Sequence, residues 1–141
     1  MSRKTGLVWH ELYMWHNTGK YAGVMPPGLQ VQPYEHSEHP ETKRRLKNLL
    51  DVAGLTEQLV AIRPRPASEA EILMLHESDY LTRMKALNET GGEAGIGTPM
   101  GVGSYEIALL ATGGVIELVD ALLEGRVDNG YALVRPPGHH A

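Results

Sequence analysis

The sequence contains no cysteine, which excludes disulfides and thiolate metal sites and fits a cytoplasmic address. It contains no phenylalanine either, so Leu, Val, Met, Trp and Tyr must fill the core. No apolar run approaches the roughly 18 residues needed to span a bilayer. The basic start Met1-Ser2-Arg3-Lys4-Thr5-Gly6 lacks the apolar stretch of a signal peptide. Positive charge is not in excess: 13 Lys and Arg face 17 Asp and Glu, a net charge of −4, and no basic footprint of a nucleic-acid binder emerges. Internal repeats and low-complexity tracts are missing as well. What remains is an ordinary globular composition, 42% hydrophobic and 21% charged, in 141 residues, enough for one domain.

Along the chain, Leu7-Val8-Trp9 reads as a strand. Residues 10–40 show no periodicity and carry repeated Gly and Pro, so a long loop is expected, of the kind that lines binding sites. Leu46, Leu49, Leu50 and Ala53 at helical spacing predict a helix over Glu41–Ala53, stopped by Gly54. Leu59-Val60-Ala61-Ile62 predicts a strand. Ser68-Glu69-Ala70-Glu71 is a capping box opening a helix through Ile72, Leu73 and Leu75. A second short helix starts at Ser78-Asp79 and runs through Leu87. Residues 91–103 hold six glycines and one proline and read as a second, flexible loop. A long helix follows from Ser104 to just before Gly125. Its Gly113-Gly114 pair lowers helix stability by roughly 1 kcal/mol per glycine, which close packing against a neighbour would explain. Tyr131–Val134 is the last strand. Strands alternating with helices predict an α/β fold with a largely parallel sheet, and such sheets bind ligands beyond the carboxyl ends of their strands.

The segment after that last strand carries the chemistry. Pro136-Pro137-Gly138 is a rigid turn leading into His139 and His140. Neighbouring side chains in an extended segment face opposite ways, so two adjacent histidines share a site only if the backbone bends. The prolines fix the approach, and Gly138 can adopt torsions closed to other residues. Two imidazoles held close would rarely both be protonated. One neutral ring can then act as a base near neutral pH while the other supplies a hydrogen bond or a positive charge.

Arg135-Pro136-Pro137-Gly138-His139-His140-Ala141 resembles the tandem-histidine motif of the class II histone deacetylase family. That family includes bacterial histone-deacetylase-like amidohydrolases and acetylpolyamine amidohydrolases. Three upstream stretches agree, in the right order: His39-Pro40-Glu41 with Arg45-Leu46, His76-Glu77-Ser78-Asp79-Tyr80-Leu81, and Gly103-Ser104-Tyr105-Glu106-Ile107-Ala108 with Ala111 and Gly113-Gly114. The resemblance implies the arginase/deacetylase fold, a parallel sheet with helices on both faces. It also implies a zinc-dependent deacetylase that hydrolyses a linear acetyl-amide C–N bond to acetate and an amine, with a monovalent cation as a second ion. By motif position His140 is the general base and proton shuttle. His139 helps to hold the water and stabilise the transition state. Arg45 belongs to the inner cavity through which acetate leaves, Gly138 borders the substrate, and Glu93 is the acidic candidate on the rim loop.

The family's zinc ligands, an Asp-x-His segment and a later Asp, are expected beyond Ala141, so no metal ligand is assigned within this chain. The carboxylates that orient the histidine pair, the glycine-aromatic tunnel wall and the carbonyl-polarising tyrosine are expected there too. The chain therefore reads as the N-terminal part of a single deacetylase domain, inactive alone, with the remaining part of the domain as its partner. Candidate substrates are acetyl-lysine in protein, acetylated polyamines and other small amides; membrane and nucleic acid are not expected partners. Association of copies through the 10–40 loop is a further expectation.

Two other readings compete. His36-x-x-His39, flanked by Glu35, Glu38 and Glu41, is a candidate nitrogen/oxygen metal site with His10 or His16, which would make the chain a small metal-binding module without catalysis. The plainer reading is surface loop histidines. An interaction piece is the third reading, since an unpaired sheet edge and an uncovered helix face would favour association. His76 is expected to pack at a helix junction. Trp9, Tyr13, Trp15 and Tyr21 are expected in the core or at an interface.

Overall fold

A computed structural model describes residues 3–138. In chain order its elements are β1 (Thr5–Val8), a 3-10 turn (Glu11–Trp15), β2 (Lys20–Tyr21), β3 (Tyr34–Glu35), α1 (Glu41–Val52), a second 3-10 turn (Thr56–Gln58), β4 (Val60–Ile62), α2 (Glu69–Ile72), α3 (Ser78–Thr90), β5 (Gly92–Glu93), β6 (Pro99–Met100), α4 (Ser104–Leu123) and β7 (Asn129–Ala132). β1 is the central strand of a parallel sheet ordered β4-β1-β7. The α/β fold with a parallel sheet is as expected.

The apolar periodicity places the long helices, and glycines end them. α1 stops where Gly54 takes φ +67°, with its N–H on the Asp51 carbonyl, and α3 stops at Gly91 with φ +71°. The capping box forms as expected, with the Ser68 hydroxyl accepting from the Glu71 amide and the Glu71 carboxylate accepting from the Ser68 amide.

α4 lies on one face of the sheet. Val8, Tyr13, Met14, Ile62, Ile107, Ala111, Leu118, Ala121 and Val127 form the core between them. Two pairs of glycines make this approach possible. Gly6 and Gly130 are register partners on β1 and β7, and Leu118 sits directly over them. A Cβ on Gly113 would lie 1.9 Å from the Arg65 carbonyl oxygen, and one on Gly114 would lie 2.8 Å from the Val8 side chain. The mid-helix glycines are thus contact points for the Arg63–Ala67 segment and for β1, as close packing predicts.

Several sequence expectations shift. β1 begins at Thr5 and ends at Val8, before Trp9. The last strand is Asn129–Ala132 and not Tyr131–Val134, because pairing to β1 starts at Thr5↔Asn129; only the Leu133 amide, donating to the Val8 carbonyl, extends the ladder. α2 is a single turn that ends at Ile72, before Leu73 and Leu75. The 10–40 segment is not wholly irregular. His10 caps its 3-10 turn by accepting from the Leu12 amide, and β2 pairs with β3. Residues 91–103 likewise hold the antiparallel β5–β6 pair. None of these short elements has a period long enough to be read from sequence. Among the described residues, no helix is long and apolar enough to cross a membrane.

Candidate active site

The site is built where β7 leaves the sheet. Beyond Leu133 the chain no longer pairs with β1, and Pro136 and Pro137 have no amide hydrogen to offer. Arg135 takes over. Its side chain is fully buried. The guanidinium donates to both Glu38 carboxylate oxygens, from Nε at 2.9 and 3.1 Å and from Nη2 at 2.9 Å, and Nη1 donates to the Tyr13 carbonyl at 3.0 Å. Burial alone would raise the Glu38 pKa, but the hydrogen bonds and charges of Arg135 and Lys43 outweigh it and hold the carboxyl below its ordinary value.

The same knot joins the two rim loops. The His16 Nδ1 is 2.8 Å from the Ser104 hydroxyl at the start of α4. Desolvation, reinforced by the positive charge of Arg135, lowers the His16 pKa to about 4, so this ring is neutral at physiological pH. His36 accepts the Glu38 amide at Nδ1 and donates from Nε2 to the Gly97 carbonyl, at 3.0 Å each. Gly101 packs closely on Asn17 in the same region. Tyr13 is buried and donates its hydroxyl to the Leu110 carbonyl, and desolvation pushes its pKa upward. A cleft of about 620 Å³ opens beside these groups, lined in part by Trp15, His16, Lys20, Glu35, His36 and His39.

The expected site residues fall in different places. His139 and His140 lie outside the described residues. Gly138, just before them, is exposed with φ +63°, a conformation few other residues adopt. Arg45 is exposed on α1, while its neighbour Arg44 pairs with Glu11 and Glu41. Glu93 is exposed on β5, opposite Pro99.

The His36/His39 metal site is not assembled. Both ring nitrogens of His36 are engaged in hydrogen bonds that fix its tautomer with the proton on Nε2, leaving no lone pair for a metal. Glu38 is committed to Arg135 and Lys43. Among the described residues no group of three or more His, Cys, Asp or Glu side chains gathers around a common point. Tyr13 and Tyr21 are core residues, Trp9 is half-buried, and Trp15 is exposed. His76 stacks on Tyr80 with ring centroids 4.6 Å apart, at the α2–α3 junction as expected.

Sequence reasoning gave Arg135 no role beyond membership of the motif and missed Tyr13 and Ser104 as site partners. The available signal was an arginine between an apolar strand and two prolines, where a solvated charge is out of place.

The chain is similar to known proteins. Residues 36–141 match the histone deacetylase domain. The chain is 49% identical to a histone deacetylase-like amidohydrolase of Pseudomonas aeruginosa over 99% of its length, which spans 38% of that relative. It is 36% identical over 110 residues to the human polyamine deacetylase HDAC10, covering 73% of this chain and 16% of that one. The crystal structure of the HDA15 HD domain superposes with a TM-score of 0.82 at 28% identity, over 98% of this chain and 37% of that chain. By the domain match over most of its length, with the parallel sheet and these likenesses beside it, the chain belongs to the histone deacetylase family.

Proposed function

We propose that this chain supplies the proton-transfer part of a deacetylase active site, in a protein that hydrolyses an acetyl-amide to acetate and an amine. The observation that carries the reading is the path of β7. It runs parallel beside β1 and brings Arg135–Gly138 to the carboxyl edge of the sheet, immediately before the histidine pair in sequence. The amidohydrolase and polyamine deacetylase relatives favour the same chemistry. Because the chain spans only 38% of the Pseudomonas relative, we assign it the N-terminal part of a single deacetylase domain.

On this reading His140 accepts a proton from the attacking water. The water oxygen bonds to the acetyl carbon, the C–N bond breaks, and the proton passes to the departing amine. His139 holds the water and stabilises the developing charge. The pair titrates as a unit. Gly138 leaves room beside the substrate, Glu93 grips it from the rim, and Arg45 serves the inner cavity when the rest of the domain covers α1. The substrate is an acetylated small molecule or an acetyl-lysine. Zinc is the metal we assign to the complete protein, with a monovalent cation as a second ion. The described residues do not provide a donor set that fits zinc, so the steps assigned to this chain are proton transfers only.

In the complete protein, His140→Ala should lower acetyl-amide hydrolysis by about 10²–10⁴-fold while zinc content, measured by elemental analysis, stays the same. Unchanged turnover in that variant would remove the residue from the mechanism. We also assign the 10–40 loop to contacts between copies, since Trp15, Met25, Leu29 and Tyr34 expose apolar surface there. Replacing Met25 and Leu29 by Ser should reduce the mass seen by light scattering; an unaltered mass excludes the loop from any interface.

A further inference from the structure

A fully buried arginine is an expensive choice at the end of a strand. Removing a guanidinium from water is tolerated only when its donors are satisfied, and an apolar side chain of similar size would often serve stability equally well. Arg135 is the largest fully buried side chain among the described residues, and its partners lie 97 and 122 positions upstream. Its location suggests what the charge does that packing would not. The sheet holds this segment as far as the Leu133 amide. Pro136 and Pro137 then remove two backbone donors, so the turn has no ladder to fix it. The planar fork of Arg135 restores that fixation with direction as well as contact: four hydrogen bonds to Glu38 and one to the Tyr13 carbonyl define both the position and the rotation of the chain at residue 135. Glu38 is itself oriented, by Lys43 at 3.1 Å and through its own amide on His36.

We propose that Arg135 and Glu38 are a positioning pair for the deacetylation reaction, setting the orientation in which the Pro136-Pro137-Gly138 turn presents the histidine pair. Neither side chain touches substrate on this assignment. The proposal rests on the deacetylase reading above and adds to it two residues that act through the turn. Small displacements of a catalytic group lower the rate of chemistry more than they weaken ground-state binding, so the pair should act on kcat and not on KM.

The test uses the complete protein with an acetyl-lysine peptide, and counts active sites with a tight-binding hydroxamate. Glu38→Gln should lower kcat per titrated site by about tenfold or more while KM changes by less than about twofold. Because that variant leaves a buried guanidinium without its counter-charge, it can also lose folded protein. The double variant Glu38→Met with Arg135→Met removes both charges, keeps the volume and should fold with a cooperative melt. It is expected to retain the low kcat per site, since apolar contact fills the space without fixing the rotation. Recovery of kcat per site to within about twofold of the parent in the double variant would show that the pair serves stability alone and overturn the proposal. A parent protein with no acetyl-amide turnover would instead sink the deacetylase reading itself, so the two failures are distinguishable.

Discussion

Gly113 shows how much a single residue can settle. By helix propensity alone, Ala at this position should stabilise α4 by roughly 1 kcal/mol. Its Cβ would lie 1.9 Å from a backbone carbonyl oxygen and 2.7 Å from the Ala67 amide nitrogen, neither of which can rotate away. Gly113→Ala is therefore expected to destabilise the intact protein by about 1–3 kcal/mol, read as a lower urea midpoint. A stabilised variant would mean that α4 does not approach the Arg63–Ala67 segment as described. His16 makes a second residue-level expectation. Its unfolded ring takes up a proton near 6.5, its folded ring only near about 4. Above 6.5 both states are neutral and its contribution to stability is fully present. As pH falls toward 4 the unfolded state binds more protons, so stability declines, and below 4 this contribution flattens. Glu38, whose folded pKa is lowered, adds a further loss at lower pH, through and below the ordinary carboxylate range. Urea midpoints between pH 7 and 4 should show the decline, and His16→Asn should flatten it; equal slopes for both proteins would contradict the burial of a neutral imidazole. The Gly113 packing was legible in sequence because a glycine pair inside an otherwise good helix needs a reason. The buried role of Arg135 was not, because its partners Tyr13 and Glu38 sit in a segment without periodicity.

Among the elements, length decided what could be read. α1, α3 and α4 carry enough turns for apolar spacing and glycine stops to mark them, and their observed limits lie within a few residues of the expected ones. β2, β3, β5 and β6 are two residues each, and each pair forms where a single loop folds back on itself. β7 was displaced by two residues because Asn129 and Gly130, poor strand formers, are recruited by β1 across the register. Composition marked residues 10–40 as a loop of the kind that lines binding sites and residues 91–103 as a second, flexible loop, but their union through His36 and Gly97 has no local signal. Two of the histidines that looked like ligands are structural for the same reason: His16 meets the Ser104 hydroxyl and His36 meets the Gly97 carbonyl, groups brought in from distant segments.

For the whole molecule, what is left uncovered matters most. Val115, Val119, Leu122 and Leu123 on α4 and Tyr131 on β7 are exposed, as are Leu49 and Val52 on α1. Among the described residues, β4 and β7 each present an edge with no further strand paired to it. Surfaces of this kind favour association. A polypeptide of residues 1–141 alone is expected to bind an apolar dye, to associate as concentration rises, and to hydrolyse no acetyl-amide. A soluble monomer with a cooperative melt and no dye binding would show that these faces need no cover. The α/β class and the order of the motifs were legible from sequence, since both are one-dimensional patterns. Which faces remain open depends on how three strands and four helices meet, and no pattern in the chain records that.

The two prolines after Arg135 also determine how the turn can be observed. With no amide proton at 136 or 137, amide-detected backbone spectra and amide exchange are silent there, and Gly138 supplies the first amide signal after Arg135. The Nε–H of Arg135, shielded and shared between two carboxylate oxygens, should exchange slowly enough to be seen where exposed guanidinium protons are lost. That one side-chain resonance offers a spectroscopic handle on a stretch of chain whose backbone is otherwise mute.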